Sequence, residues 1–226
     1  MGTIWSKKDK DGPTMPTNTS FAGPPESTSH TPVETAGKHP ATRVNLVLLG
    51  MAGTGKSASG NTILGDKEFL SRASSDLVTK ECHAKDAVIG RRRVRVIDTP
   101  DMFDDDIQQT LKDQHVRKCR ELCEKEPRVF LLVMHISRFT DGERNILKKL
   151  EAAFGNRVHE QTVILFTREE DLKQGDMSFE EFLRNCNPDL KKIVAKCGNR
   201  CVLFENTASR SHQVERLMQT VDEILN

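Results

Sequence analysis

Three short stretches carry residues whose types and spacing suit chemistry on a phosphorylated ligand. The first is GMAGTGKS, from Gly50 to Ser57. It matches G-x-x-x-x-G-K-[ST], lies directly after an apolar run, and opens a helical pattern. Gly50, Met51, Ala52, Gly53, Thr54 and Gly55 form a turn whose successive N–H groups wrap a polyphosphate, with the helix start at Lys56, Ser57 and Ala58 adding partial positive charge. The Lys56 ammonium suits the β- and γ-phosphates, and the Ser57 hydroxyl suits Mg²⁺. The second stretch is VIDTPDMFDDD, from Val96 to Asp106. Asp98 ends an apolar run about forty residues after the loop, where a carboxylate completes the Mg²⁺ site. Asp101 stands at the fourth position of this D-x-x-G-like box, where a glycine N–H normally meets the γ-phosphate. Its carboxylate is expected to point away from the phosphates, because like charges that close repel strongly. Met102, in the position of a water-orienting glutamine, cannot orient water. Asp104, Asp105 and Asp106 read as a solvated helix start.

The third stretch is ILFTREEDL. The phosphate loop does not choose between ATP and GTP. A guanine reader has the form N-K-x-D after a buried strand, its Asp accepting from N1–H and N2–H₂ of the base. Arg168, Glu169, Glu170 and Asp171 occupy that spacing and keep only the Asp. Asn206, after the next apolar run, is placed to close over the base.

The elements that must hold these residues alternate along the chain. RVNLVLLG, RVFLLVMHI, QTVILFT and RCVLFEN read as buried strands, and AKDAVIGRRRVRVIDT as two strands joined at Gly90. Between them lie helical segments. In TLKDQHVRKCRELCEKE, Leu111, Gln114, His115, Lys118 and Leu122 fall on one side. TDGERNILKKLEAAFG opens with a Thr140/Glu143 capping box and stops at Gly155, and SFEEFLRNC opens with a second box, Ser178/Glu181. QVERLMQTVDEILN is the last helix. This alternation implies an α/β fold, a mainly parallel sheet with helices on both faces. The domain is expected over 43–226. Residues 1–42, dense in Pro, Ser and Thr, are expected to be a disordered tail, since they offer little apolar surface to offset the entropy of ordering.

The 226 residues are 36% hydrophobic and 30% charged with net charge +1, so nothing in the charge balance points to nucleic acid. No apolar run approaches the ~20 residues that span a bilayer, and no secretory segment opens the chain. Cys119/Cys123 and Cys197/Cys201 are four apart, but no matched histidine spacing supports a metal. Reduced thiols in a cytoplasmic protein are the expectation.

In this order and spacing, GMAGTGKSASGNTILG, VTKEC, VIDTPDMF, SRFTDGERNILKKLEAAFG and ILFTREEDL resemble the GIMAP family, the GTPases of immunity-associated proteins. The resemblance covers about residues 43–210. The box Arg138, Phe139, Thr140 is its most specific part. It implies a P-loop G domain like those of septins and chloroplast import GTPases, with GTP or GDP and Mg²⁺ as ligands. It places Ser71 and Thr79 in a first switch, Thr79 joining Mg²⁺ in the triphosphate state. The family's reader is typically T-R-K-E-D-L, so Glu169 replaces a lysine that covers the nucleotide, and some affinity is expected to be lost.

The resemblance also implies homo- or hetero-oligomers through the G domain, with an arginine supplied in trans for hydrolysis. Arg117 and Arg120 are the candidates. Two readings follow: a nucleotide-dependent switch or scaffold with slow or absent turnover, and a dimer-activated GTP hydrolase. A third, an ATP-using enzyme, lacks an adenine site. The start MGTIWSKKDK fits the myristoylation pattern at Gly2 and Ser6. A single acyl chain with Lys7 and Lys8 gives only weak, reversible membrane contact. On this reading the chain stops just past the last helix of the domain, so any anchoring comes from the tail or a partner.

Overall fold

The computed structural model describes residues 43–72, 78–207 and 211–226. The lipidation signal at Gly2 and the whole 1–42 segment lie outside the described residues. Among the described residues six strands form one sheet in the order β2-β3-β1-β4-β5-β6. These are β1 (Val44–Leu49), β2 (His83–Ile89), β3 (Arg92–Asp98), β4 (Arg128–His135), β5 (Thr162–Thr167) and β6 (Cys201–Phe204). β2 runs antiparallel to β3, and every other pairing is parallel. The β2–β3 hairpin turns at Gly90, whose φ of 60° suits a tight connection.

Side-chain alternation sorts the sheet into two apolar layers. From β1, Val44, Leu46 and Leu48 face one layer while Val47 and Leu49 face the other. Helices α1 (Lys56–Leu64) and α8 (Ser211–Leu225) cover the first face through Ile63, Val214, Leu217 and Val221. On the other face lie α2 (Gln109–Cys123), α4 (Ile146–Phe154) and α7 (Pro188–Lys196), with Cys119, Leu147, Leu150 and Ile193 turned inward. The expected mainly parallel sheet with helices on both faces is therefore what forms.

Three local readings change. The buried side of α2 is not Leu111–Lys118–Leu122. Leu111 is exposed, and Cys119 and Cys123 are fully buried with Val116 and Leu122 packed beside them. Cysteine acts here as a small hydrophobe at i, i+4 spacing. The helix over 140–155 is broken: α3 (Asp141–Arg144) ends at Asn145, whose φ of −101° and ψ of 9° leave the helical region before α4 begins. The capping box at its start forms, Glu143 accepting from the Thr140 N–H at 2.8 Å. Helix α7 was readable from Asn187 at its N-cap and Pro188 at its first turn, a start signal the strand-and-helix reading passed over. Two short helices complete the fold, α5 (Glu169–Gln174) and α6 (Phe179–Asn185), with the Ser178 hydroxyl accepting from Glu181 N–H at 3.1 Å.

Asn45 is a fully buried polar residue in β1. Its side-chain amide donates to the Cys123 carbonyl at 2.7 Å and so ties the end of α2 to the start of the central strand. Arg95 pairs with Asp86 and Glu124, and Arg43 also reaches Glu124, which links β3, β2 and the end of α2.

Candidate functional site

The loop after β1 turns at the C-terminal ends of the parallel strands, where open α/β sheets bind their ligands. Gly50 has φ 147°, and a Cβ there would lie 2.4 Å from the Val133 carbonyl oxygen, so the backbone of β4 excludes any side chain. Gly55, at φ 96°, precedes α1 in the left-handed region. The loop is braced from inside. Thr54 is buried and its hydroxyl donates to the Met51 carbonyl at 2.9 Å. From β5, the Thr167 hydroxyl donates to the Thr54 carbonyl at 2.8 Å. Lys56 is buried and its ammonium donates to the Gly50 and Met51 carbonyls, both at 2.9 Å. Burial pushes its pKa down, opposed first by Asp101 and then by Asp98.

At the end of β3, the Ser57 hydroxyl donates to Asp98 Oδ2 at 2.6 Å and lies 3.1 Å from the Thr79 hydroxyl. Thr79 Oγ1 is 3.5 Å from the same carboxylate oxygen. The three oxygen-bearing side chains assigned to Mg²⁺ thus converge on one point. Asp98 is 2% exposed, and its Oδ1 is buried without a hydrogen-bond partner among the described residues. Burial raises the Asp98 pKa, with the Ser57 bond and the Lys56 charge pulling against it. A buried carboxylate oxygen with no donor is costly, and a hard cation held by two hydroxyls and this carboxylate removes that cost. The donor set therefore fits Mg²⁺.

Asp101 overturns one expectation. Its carboxylate does not point away from the phosphate loop: Oδ2 accepts from the Ala52 N–H at 2.6 Å. Oδ1 accepts from Phe103 N–H at 2.9 Å and Asp104 N–H at 3.1 Å. Its donors are the loop amide and the amides of the second and third residues after Asp101. Met102 is buried in the core and offers no polar group to the site.

At the other end of the loop, Asp171 Oδ2 accepts from the Ser137 hydroxyl at 2.6 Å, and Oδ1 from Arg168 at 3.2 Å. The Ser137 bond, then Arg168, holds the Asp171 pKa below the usual carboxylate range. The Ser137 hydroxyl is also 3.1 Å from His135 Nδ1. Its one proton serves Asp171, so the imidazole Nδ1 carries a proton and donates. Ser137 and His135 are site residues the sequence reading missed; both sit at the end of β4, one strand from Asp171, and only strand pairing brings them there. Arg168 is the left-handed N-cap of α5, and Glu169 pairs with Lys173 on that helix.

Asn206 is held on α1: its carbonyl accepts from the Thr62 hydroxyl at 2.8 Å and its amide donates to Ser59 at 3.3 Å. Its amide nitrogen would also be 3.5 Å from a Cβ on Gly55. Its side chain braces α1 beside the loop, instead of standing free to close over a base. Ser71 is exposed and lines an open hollow with Ala58, Thr62 and Asn206.

Arg117 and Arg120 lie three residues apart on α2, and both line the groove between α2 and α4. The end of α2 is tied to the start of β1 through Asn45, opposite the edge of the sheet that carries the loop. Arg120 lies in that last turn, hydrogen-bonds the Ala153 carbonyl and stacks 6.0 Å over Phe154. It braces α2 against α4 through the Ala153 carbonyl and remains exposed. Arg117 is exposed and lines the α2–α4 groove.

The profile of the AIG1 family matches residues 44–226. This chain belongs to the AIG1 family. Among its relatives, "Immune-associated nucleotide-binding protein 9" of Arabidopsis thaliana is 34% identical over 186 residues, which are 80% of this chain and 54% of the relative. "GTPase IMAP family member 8" of Homo sapiens is 37% identical over 188 residues, 80% of this chain and 28% of that protein. The chain thus spans about half, or less, of the length of these curated relatives. Among solved structures, the fold matches a chloroplast translocon component from a study of Toc33 and Toc159 dimerisation at TM-score 0.64 and 16% identity, over 81% of this chain and 83% of that one. It matches Toc33 from Arabidopsis thaliana in complex with GDP and Mg²⁺ at TM-score 0.57 and 15% identity, over 81% and 84%. For the AIG1 chain these matches establish the P-loop G-domain fold. The resemblance carried by the five sequence segments and the profile match agree.

Proposed function

We propose that this AIG1-family chain is a guanine-nucleotide-binding switch that holds GTP or GDP with Mg²⁺ and turns over slowly, if at all, by itself. One observation carries the reading: Ser57 and Thr79 converge on Asp98 Oδ2 beside a buried loop lysine, and the other oxygen of that carboxylate, Oδ1, is buried without a partner among the described residues. The names of the relatives, which speak of nucleotide binding and of GTPases, support it. In this reading the amides from Gly50 to Ala58 hold the phosphates. Lys56 exchanges its two loop carbonyls for phosphate oxygens. When bound, Mg²⁺ neutralises phosphate charge, and Ser57, Thr79 and Asp98 hold it. Asp171 accepts from the two N–H groups of a guanine edge, oriented by Ser137. Arg168 and Glu169 flank the base, while Asn206 and Ser71 border the site. Adenine presents an acceptor where guanine presents N1–H, so Asp171 repels it. Met102 supplies no water-orienting group, which favours slow hydrolysis.

A second reading is favoured by the neighbouring Toc components, whose GTPase activity is described as depending on dimerisation. There the G domain pairs with a copy or a family member, and Arg117, exposed on α2, reaches the partner's phosphates. Weak membrane contact through a myristoylated Gly2 in the cytoplasm accompanies either reading; replacing Gly2 by Ala should then abolish partition onto vesicles. Among the described residues no helix is long and apolar enough to cross a membrane.

The test is titration of the full chain with fluorescent GDP, GTP and ATP analogues with and without Mg²⁺, followed by single-turnover hydrolysis at rising protein concentration. Guanine-selective binding that needs Mg²⁺ and loses that dependence in Asp98→Asn is expected. Equal binding of ATP overturns the role of Asp171. Hydrolysis that climbs steeply with concentration and collapses in Arg117→Ala establishes the second reading over the first.

A further inference from the structure

The Asp101 carboxylate sits where two halves of the phosphate site meet. It is 4% exposed, so this is a buried anion and not a surface side chain. One oxygen takes the Ala52 N–H of the loop at 2.6 Å; the other takes Phe103 N–H and Asp104 N–H, on the segment after β3. Three backbone donors on a single anionic group is how such loops treat a phosphate. The Lys56 ammonium has Asp101 as its foremost favourable charge, ahead of Asp98. Loop amide, lysine and the segment after β3 are the three elements that surround a third phosphate in a G domain. Here a carboxylate of the chain itself already takes the loop amide and two amides of the segment after β3, with the Lys56 charge nearby.

We propose that Asp101 is a built-in stand-in for the third phosphate, so that the site favours nucleoside diphosphate over triphosphate and opens for triphosphate only when Asp101 is displaced. The inference rests on the guanine-nucleotide reading above and adds to it which phosphate state is preferred. A diphosphate leaves the third position to the carboxylate, and the Ala52 bond stays closed. A triphosphate brings a second anion against the first in a buried site, and like charges at such range exclude one another. Displacing Asp101 frees Phe103 and Asp104 N–H at the same moment. Nucleotide state is thereby transmitted to the segment that leads into α2, whose buried Met102 and Phe103 anchor it in the core.

Two variants separate charge from turn geometry. Asp101→Asn removes the charge and keeps an oxygen for Phe103 and Asp104 N–H. Asp101→Gly restores the glycine usual at this position. Affinities for GDP and for a non-hydrolysable GTP analogue are measured by calorimetry with Mg²⁺, and exchange of the Ala52 amide is followed by NMR in nucleotide-free full chain. The proposal expects wild type to prefer GDP, both variants to raise the ratio of triphosphate to diphosphate affinity at least tenfold, and the Ala52 amide to exchange faster in Asp101→Gly. If both nucleotides bind and the ratio moves less than twofold, or the Ala52 amide is no better protected in wild type than in the glycine variant, the proposal is overturned while the nucleotide reading stands. If neither nucleotide binds wild type, the nucleotide reading falls and this proposal with it.

Discussion

His135, Ser137 and Asp171 show how single hydroxyl protons settle the chemistry of a site. Ser137 spends its proton on Asp171 at 2.6 Å, which obliges His135 to donate from Nδ1. Burial, then Arg168, lowers the His135 pKa; Asp171 and Glu143 oppose them, and Arg138 adds to the lowering. A folded-state pKa below the unfolded one stabilises the fold above the unfolded pKa of about 6.5, and that contribution is lost as pH falls through the folded value. Wild type should therefore lose thermal stability more steeply than His135→Asn as pH falls below about 6.5, since the asparagine keeps a donor towards Ser137 but cannot titrate. Parallel melting curves of the two proteins across that range check it. Asn206 teaches a related lesson. A side chain at the right place in the sequence is already engaged, here with Thr62 and Ser59, and a function that needs it must first outbid those partners.

At the scale of elements, α1 connects the loop to the core through a contact with no slack. A Cβ on Gly60 would lie 2.7 Å from the Phe69 ring and 2.9 Å from Leu48 Cδ1. The Phe69 backbone is itself clamped by Asn61, which donates to its carbonyl at 2.8 Å and accepts from its N–H at 2.7 Å. Neither neighbour can retreat. Gly60→Ala gains about 1 kcal/mol of helix preference and loses about 1–3 kcal/mol to overpacking. The expected outcome is a net loss of stability in chemical denaturation, together with weaker nucleotide binding, because α1 carries Lys56 and Ser57. The α2 helix makes the complementary point. Its C-terminal turn is fixed by Asn45 on the Cys123 carbonyl and by Arg120 bridging to α4.

At the scale of the domain, the described residues form a sheet covered on both faces by helices. The face under α2, α4 and α7 includes Met102 and Phe103, which follow Asp101. Under α1 and α8 lies the other apolar cluster, in which Leu217 and Val221 are fully buried. Leu217→Ala should cost about 3 kcal/mol, seen as a lower urea midpoint with an unchanged slope. It should leave the ratio of triphosphate to diphosphate affinity untouched, since α8 shares no side chain with the Asp101 contacts.

Much of this was legible without coordinates. Strand and helix succession, the loop from Gly50 to Ser57, and Asp98 at a strand end follow from local pattern, because burial periodicity and turn chemistry are properties of a few adjacent residues. The AIG1 membership too could be read from five segments and their order. Only the tertiary structure decided what depends on long-range approach. It placed Ser137, just after β4, beside Asp171, just after the adjacent β5, drew Cys119 and Cys123 inward in place of Leu111, and set Arg120 against a neighbouring helix. It also turned the Asp101 carboxylate onto the Ala52 amide. From sequence the like-charge argument pointed that side chain away from the phosphate site; in the folded chain the amides of Ala52, Phe103 and Asp104 hold it there.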